Sequence, residues 1–138
     1  MKAEIEQHTK FSEADPMGVI WHGTYLRYFE DGREAFGRQH GLSYLDFYSQ
    51  GFYVPIVKSE IDHKGMVQYG EEIRISITLI PCKAAKIVFE YEVYNLTQGY
   101  IAATGKTVQV FMNAESKELF LNIPDFYKTW LLSNKVLA

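Results

Sequence analysis

Two residues ahead of a helical segment have the types and spacing for chemistry, Asp15 and, seven positions on, His22. Asp15 opens Asp15-Pro16-Met17-Gly18, a turn signature with Asp first, Pro second and Gly fourth. Such a turn needs no function to explain it. Its context adds meaning: Val19, Ile20 and Trp21 run into His22-Gly23-Thr24, where a helix begins. The first N–H groups of a helix have no intrahelical acceptor, and the positive end of the helix dipole lies beside them. A developing oxyanion is favoured there. A carboxylate facing those donors suits acyl transfer, as nucleophile or as general base toward water. Asp15 is then the working side chain and the backbone N–H of His22 the oxyanion donor. Trp21, Gly23 and Thr24 are weaker candidates for the same role, and Thr24 also suits a helix cap.

Other chemistries find less support. Asp15, His22 and a helical carboxylate match no usual metal-ligand spacing, and Cys82 is the lone cysteine, so neither a metal nor a cofactor is expected. There is no G-x-S-x-G nucleophile motif, no histidine near Cys82 in sequence and no glycine pattern for phosphates. A net charge of −3 lacks the basic footprint of a nucleic-acid binder. No window reaches the apolar length of a membrane span. The charged run Met1-Lys2-Ala3-Glu4-Ile5-Glu6 does not read as a signal peptide, and a single cysteine suits a reducing compartment, so the expectation is a cytoplasmic protein. Ten Tyr, nine Phe and two Trp fit either a ring-filled core or an apolar tunnel and subunit interface; composition does not separate these.

The elements that must position Asp15 follow from periodicity. Tyr25, Phe29, Gly32, Phe36 and His40 recur at three- and four-residue steps, which predicts one long amphipathic helix over about Gly23 to His40, ended by Gly41. Gly32 and Gly37 inside it each cost about 1 kcal/mol against Ala, which argues for close approach to strands. A first strand is expected over Ala3 to Phe11, and a short helix over Ser43 to Gln50 with Ser43 and Asp46 spaced as a capping box. Beyond Gly51 the period becomes two. Phe52 to Lys64 reads as a strand broken early by Pro55, followed by strands through Ile73–Leu79 and Ile87–Val93. In Tyr100 to Asn113 the apolar parity changes, which predicts a β-bulge near Gly105 to Thr107. A C-terminal helix, Asp125 to Ser133, is expected to bury Phe126, Trp130 and Tyr127. With no repeat or linker, residues 1–138 read as one α+β domain in the order β–α–β–β–β–β–α.

Phe11, Glu13-Ala14-Asp15, Gly18, Val19-Ile20, Trp21, His22 and Tyr25 follow a family signature, continued by Pro55-Ile56-Val57, Tyr69-Gly70-Glu71-Glu72 and the run Ala103, Gly105, Val110. The sequence thereby resembles the hotdog-fold acyl-CoA thioesterases, the 4-hydroxybenzoyl-CoA thioesterase-like group. It departs at Glu13, where many members have Asp, and at Ala14, where Thr or Cys is common. The resemblance implies a hotdog fold, an antiparallel sheet wrapped around one long central helix. It also implies a homodimer with a continuous sheet, or a homotetramer, and an acyl-CoA substrate held between subunits. Asp15 matches the family's catalytic aspartate, and the His22 N–H the group that polarises the thioester carbonyl. Gly18, Trp21, Gly23 and Tyr25 would line the substrate; Lys58, Lys83 and Lys86 border a CoA path or are ordinary solvated lysines. Three alternatives stay open: a helical carboxylate, Glu30 or Glu34, as the catalytic group; a carrier-protein thioester in place of CoA; and a non-catalytic acyl-CoA-binding module.

Overall fold

A period near 3.6 over residues 24–40 and a period of two beyond residue 51 sort the chain into elements. The computed structural model describes residues 1–137. In chain order these form β1 (Lys2–His8), a 3-10 turn (Phe11–Glu13), α1 (Thr24–His40), α2 (Tyr44–Ser49), β2 (Phe52–Tyr53), β3 (Ile56–His63), β4 (Glu72–Ile80), β5 (Lys86–Asn95), β6 (Tyr100–Asn113), β7 (Leu119–Phe120) and α3 (Asp125–Ser133). The seven strands make one antiparallel sheet with the path β1-β4-β5-β6, and β2, β3 and β7 all pair with β6. β3 has only this one partner, so its other edge is unpaired among the described residues. No helix among them is long and apolar enough to cross a membrane.

The sheet buries α1, as the hotdog arrangement requires. Ile73, Ile75, Ile77 and Leu79 point from β4 to the core with at most 3% exposure. Against them α1 sets Tyr28, Phe29, Gly32 and Phe36. Phe29 stacks on Tyr91 with ring centres 4.2 Å apart, and Phe36 meets Phe89 edge-on at 5.1 Å. Each such buried side chain contributes about 1.5–3 kcal/mol of hydrophobic stabilisation. Gly32 is a notch for the sheet: a Cβ there would lie 3.2 Å from Ile75 Cγ2. Gly37 is not. Its Cβ would strike the backbone of the turn after the helix, 2.7 Å from Leu42 O and 2.9 Å from Ser43 Cα. Gly41 ends the helix at φ +69°, and Leu42 N–H returns to Gly37 O at 2.8 Å.

Elsewhere the sequence pattern and the structure part in instructive ways. The capping box forms, with Asp46 N–H donating to Ser43 Oγ and Ser43 N–H to Asp46 Oδ2. The first strand stops at His8 rather than Phe11: Thr9 still follows the register, its N–H and hydroxyl both donating to Glu71 O, and the chain then bends into the 3-10 turn at Phe11–Glu13. No bulge lies at Gly105 to Thr107. The register of β6 against β5 slips instead beside Ala102, and that of β3 against β6 beside Val57. From Ala103 to Phe111 the odd positions face the core throughout, including the polar Thr107 and Gln109. Those two are satisfied, Thr107 by the Tyr91 hydroxyl and Gln109 by donating to Val54 O, so the core tolerates them. In α3 the buried residues are Tyr127 and Leu131, while Phe126 and Trp130 are only partly covered.

Candidate active site

The Asp15 turn forms as its residue types dictate. Gly18 N–H donates to Asp15 O at 2.9 Å, and Gly18 takes φ +78°, which a side chain would resist. The carboxylate oxygen Oδ1 accepts from Met17 N–H at 2.9 Å and Val19 N–H at 3.2 Å. Oδ2 has no partner among the described residues, and the side chain is half-buried. One oxygen of Asp15 is therefore fixed by backbone and the other is free to act.

A small ribbon carries this turn. Asp15 N–H donates to Val19 O at 2.8 Å and Trp21 N–H to Glu13 O at 3.0 Å. The connector between β3 and β4 adds a third layer, with Ile20 N–H on Val67 O and Tyr69 N–H on Gly18 O, both at 2.8 Å. Glu71 holds that connector. Its buried carboxylate accepts from Gln68 N–H at 2.6 Å, Gln98 Nε2 at 2.7 Å and Asn95 Nδ2 at 3.2 Å. Burial pushes this carboxyl up, but the three donors outweigh it and hold it below the ordinary carboxylate range.

Glu13 ties the ribbon to the helix. Its carbonyl accepts from the Thr24 hydroxyl at 3.1 Å, and its Oε1 accepts from the Tyr28 hydroxyl at 3.0 Å. Burial and the Glu13 carboxylate push the Tyr28 phenol well above its ordinary value, so it stays a donor. Thr24 is thus a cross-link to the loop, not a cap. The N-cap is Gly23, without a side-chain cap bond. Among the described residues, neither the His22 N–H nor the Gly23 N–H has an acceptor. His22 is exposed beside Trp21, whose ring lies over Gly23: a Cβ on Gly23 would come within 2.2 Å of Trp21 Cζ3.

Asp15, Gly18, Trp21, His22 and Gly23 therefore gather at the junction of ribbon and helix, Tyr25 follows in the first turn of α1, and the three lysines lie elsewhere. Tyr25 is buried, its ring edge-on to Tyr28 and to His63 at the end of β3, and burial followed by Tyr100 raises its phenol to about 12. Lys58 pairs with Glu60 at 2.8 Å on exposed β3, and Lys83 and Lys86 are exposed around the β4–β5 turn. That turn lies at the opposite end of the sheet, since Lys86 pairs with Val110 whereas Asn95 pairs with Tyr100. Periodicity pointed to none of the anchors Glu13, Tyr28 and Glu71, because each acts through a partner distant in sequence.

A second feature sits at that far end. A largely apolar cavity of about 320 Å³ opens between the C-terminal half of α1, α2, the link from β2 to β3, the start of β5 and the facing part of β6. Leu42, Phe47, Val54, Ile87 and Phe89 form its walls; Arg33, Tyr44 and Gln109 supply polar groups.

Comparison with known proteins puts this geometry in company. A family profile described as "Thioesterase-like superfamily" matches residues 9–131. The chain is similar to an acyl-CoA thioesterase of provisional assignment, YneP of Bacillus subtilis, with 33% identity over 68% of this chain and 67% of that one. It is also similar to a 1,4-dihydroxy-2-naphthoyl-CoA hydrolase of Rippkaea orientalis, with 25% identity over 79% of this chain and 80% of the relative. Among solved structures, a DHNA-CoA thioesterase from Staphylococcus aureus superposes with a TM-score of 0.82 at 26% identity, covering 99% of this chain and 96% of that one.

Proposed function

The chain belongs to the thioesterase-like superfamily and is a thioester hydrolase, and from that premise we propose that it hydrolyses an acyl-CoA with Asp15 as its catalytic carboxylate. The observation that supports this reading is that Asp15 Oδ2 and the N–H groups of His22 and Gly23 all lack partners among the described residues, on a ribbon that leads directly into α1. Asp15 attacks the thioester carbonyl or takes the proton of the water that does. The carbonyl oxygen, as it becomes an oxyanion, rests on the His22 N–H at the positive end of α1. The CoA thiolate then leaves without a strong general acid. In the nucleophilic route the resulting mixed anhydride is hydrolysed in a second step.

We place the working enzyme in a homodimer built through β3. Its free edge runs from the cavity, where Ile56 pairs with Gln109, to the catalytic end, where His63 meets Tyr25. Exposed apolar residues cluster at both ends: Leu45, Tyr48, Tyr53 and Val57 near the cavity, Phe11, Met17, Met66 and Tyr69 near Asp15. Antiparallel pairing of two β3 edges about a two-fold axis brings the catalytic end of one protomer beside the cavity end of its partner. Two unlike apolar patches then cover each other. Thiol release from a panel of acyl-CoA thioesters by the purified protein, with its mass in solution by sedimentation, tests both statements. Release from at least one thioester and a dimer mass are expected; binding without release would make it a non-catalytic module.

A further inference from the structure

The cavity carries a charge that no ion pair neutralises among the described residues. Three charged residues line it, Arg33, Glu34 and Arg38. Glu34 and Arg38 pair with each other at 3.4 Å. Arg33 is in no ion pair among the described residues, although it is only half-exposed. Its guanidinium is held by neutral groups alone, Nε donating to the Tyr44 hydroxyl at 3.1 Å and Nη1 to the Tyr91 hydroxyl at 3.0 Å. Tyr91 is locked in turn by Thr107 and by stacking on Phe29. Nη2 has no partner among the described residues and is not sealed from solvent, so it remains reachable. The result is a rigidly aimed cation with a free donor in an apolar wall.

A half-buried guanidinium without a counter-ion is costly in an empty apolar site and strongly selective in an occupied one. Arginine's fixed fork suits a carboxylate better than any neutral acceptor. A volume of about 320 Å³ is at the small end of ligand cavities, which sets the scale of a short acyl group and not of a whole CoA. Within one protomer the cavity is far from the chemistry, for Arg33 stands nine residues along α1 from Thr24, a rise of about 14 Å. In the proposed β3-paired dimer the two-fold axis would bring the partner's helix start beside the cavity mouth.

We propose that this cavity receives the acyl group of the thioester cleaved in the partner subunit, and that Arg33 selects acyl groups ending in a carboxylate remote from the thioester. The substrate class is then the CoA monothioester of a short dicarboxylic acid. This rests on the thioesterase reading above and names its specificity.

The test compares matched pairs that differ only in the terminal group: adipoyl-CoA against hexanoyl-CoA, and suberyl-CoA against octanoyl-CoA, assayed for kcat/KM by thiol release. The native protein is expected to prefer the carboxylated member of a pair by about tenfold or more, the usual worth of a charged hydrogen bond. Arg33→Met should bring that ratio to about one, and Arg33→Lys should retain part of it. Because Arg33→Met also loosens Tyr44 and Tyr91, competition by free adipate against free hexanoate in the native protein supplies a second measurement. Adipate should inhibit more strongly. A native preference for the neutral members, or a ratio unchanged by Arg33→Met, overturns the assignment of Arg33. Failure to release thiol from any thioester overturns the hydrolase reading itself, and the two failures are thus distinct.

Discussion

Replacing Glu71 by Gln tests whether the connector at residues 66–70 holds the Asp15 turn. The Glu71 carboxylate accepts three hydrogen bonds, from Gln68 N–H, Asn95 and Gln98. A glutamine keeps one acceptor oxygen and turns an NH2 toward one of these donors. At least one charge-assisted bond is lost and a donor is left facing a donor, a penalty of about 2–3 kcal/mol. Urea denaturation of the native and Glu71→Gln proteins measures it. The pH dependence has a definite sign. The folded carboxyl titrates below its unfolded value, so its stabilisation is complete above the ordinary carboxylate range and disappears as pH falls through the folded pKa. The difference between the two proteins should therefore be largest near neutrality and shrink in acid. Locally, amide exchange should quicken at Ile20 and Tyr69, whose N–H groups donate to Val67 O and Gly18 O. Equal stability at neutral pH, or unchanged exchange at both amides, would refute this account of the loop.

Two further changes probe the same framework. Gly105→Ala should destabilise by about 3 kcal/mol, the upper range for overpacking, because its Cβ would lie 2.3 Å from Phe29 Cζ and 2.7 Å from Glu60 O; a melting temperature within a degree of native would contradict the packing of Phe29 on β6. Tyr28→Phe removes the hydroxyl bonded to Glu13 Oε1 at 3.0 Å. It should cost about 1–2 kcal/mol and lower kcat more than it raises KM, since it frees the ribbon and not the substrate; a pure KM effect in steady-state kinetics would count against it.

How much of this was legible beforehand divides along a physical line. The helix, its end at Gly41, the capping box at Ser43 and the strands carrying Ile73 to Leu79 were readable because each is a local pattern with a single period. The Asp15 turn was readable for the same reason. On β6 the parity change that predicts a bulge has another cause: the core face continues through the polar Thr107 and Gln109, their polarity met by Tyr91 and Val54, while Val108 and Val110 face away from it. Only three-dimensional partners reveal that. Gly37 and Gly32 look alike in sequence, but one makes room for a turn and the other for a strand. Glu13 and Glu71 stand in the family signature, but their bonds, like those of Tyr28 and the lack of an ion pair at Arg33, are not readable there, because nothing local distinguishes a bonded polar side chain from a solvated one.

The central claim is that the free oxygen of Asp15 performs or drives the attack. The most direct measurement is single-turnover thioester hydrolysis by Asp15→Asn, on the best substrate of the native protein, after circular dichroism has established that it folds. The asparagine keeps an acceptor oxygen for Met17 and Val19 N–H, so the turn should survive. The rate should fall at least about a hundredfold, with substrate binding retained. A single-turnover rate within a few-fold of native would contradict the claim and move the chemistry to Glu30 or Glu34.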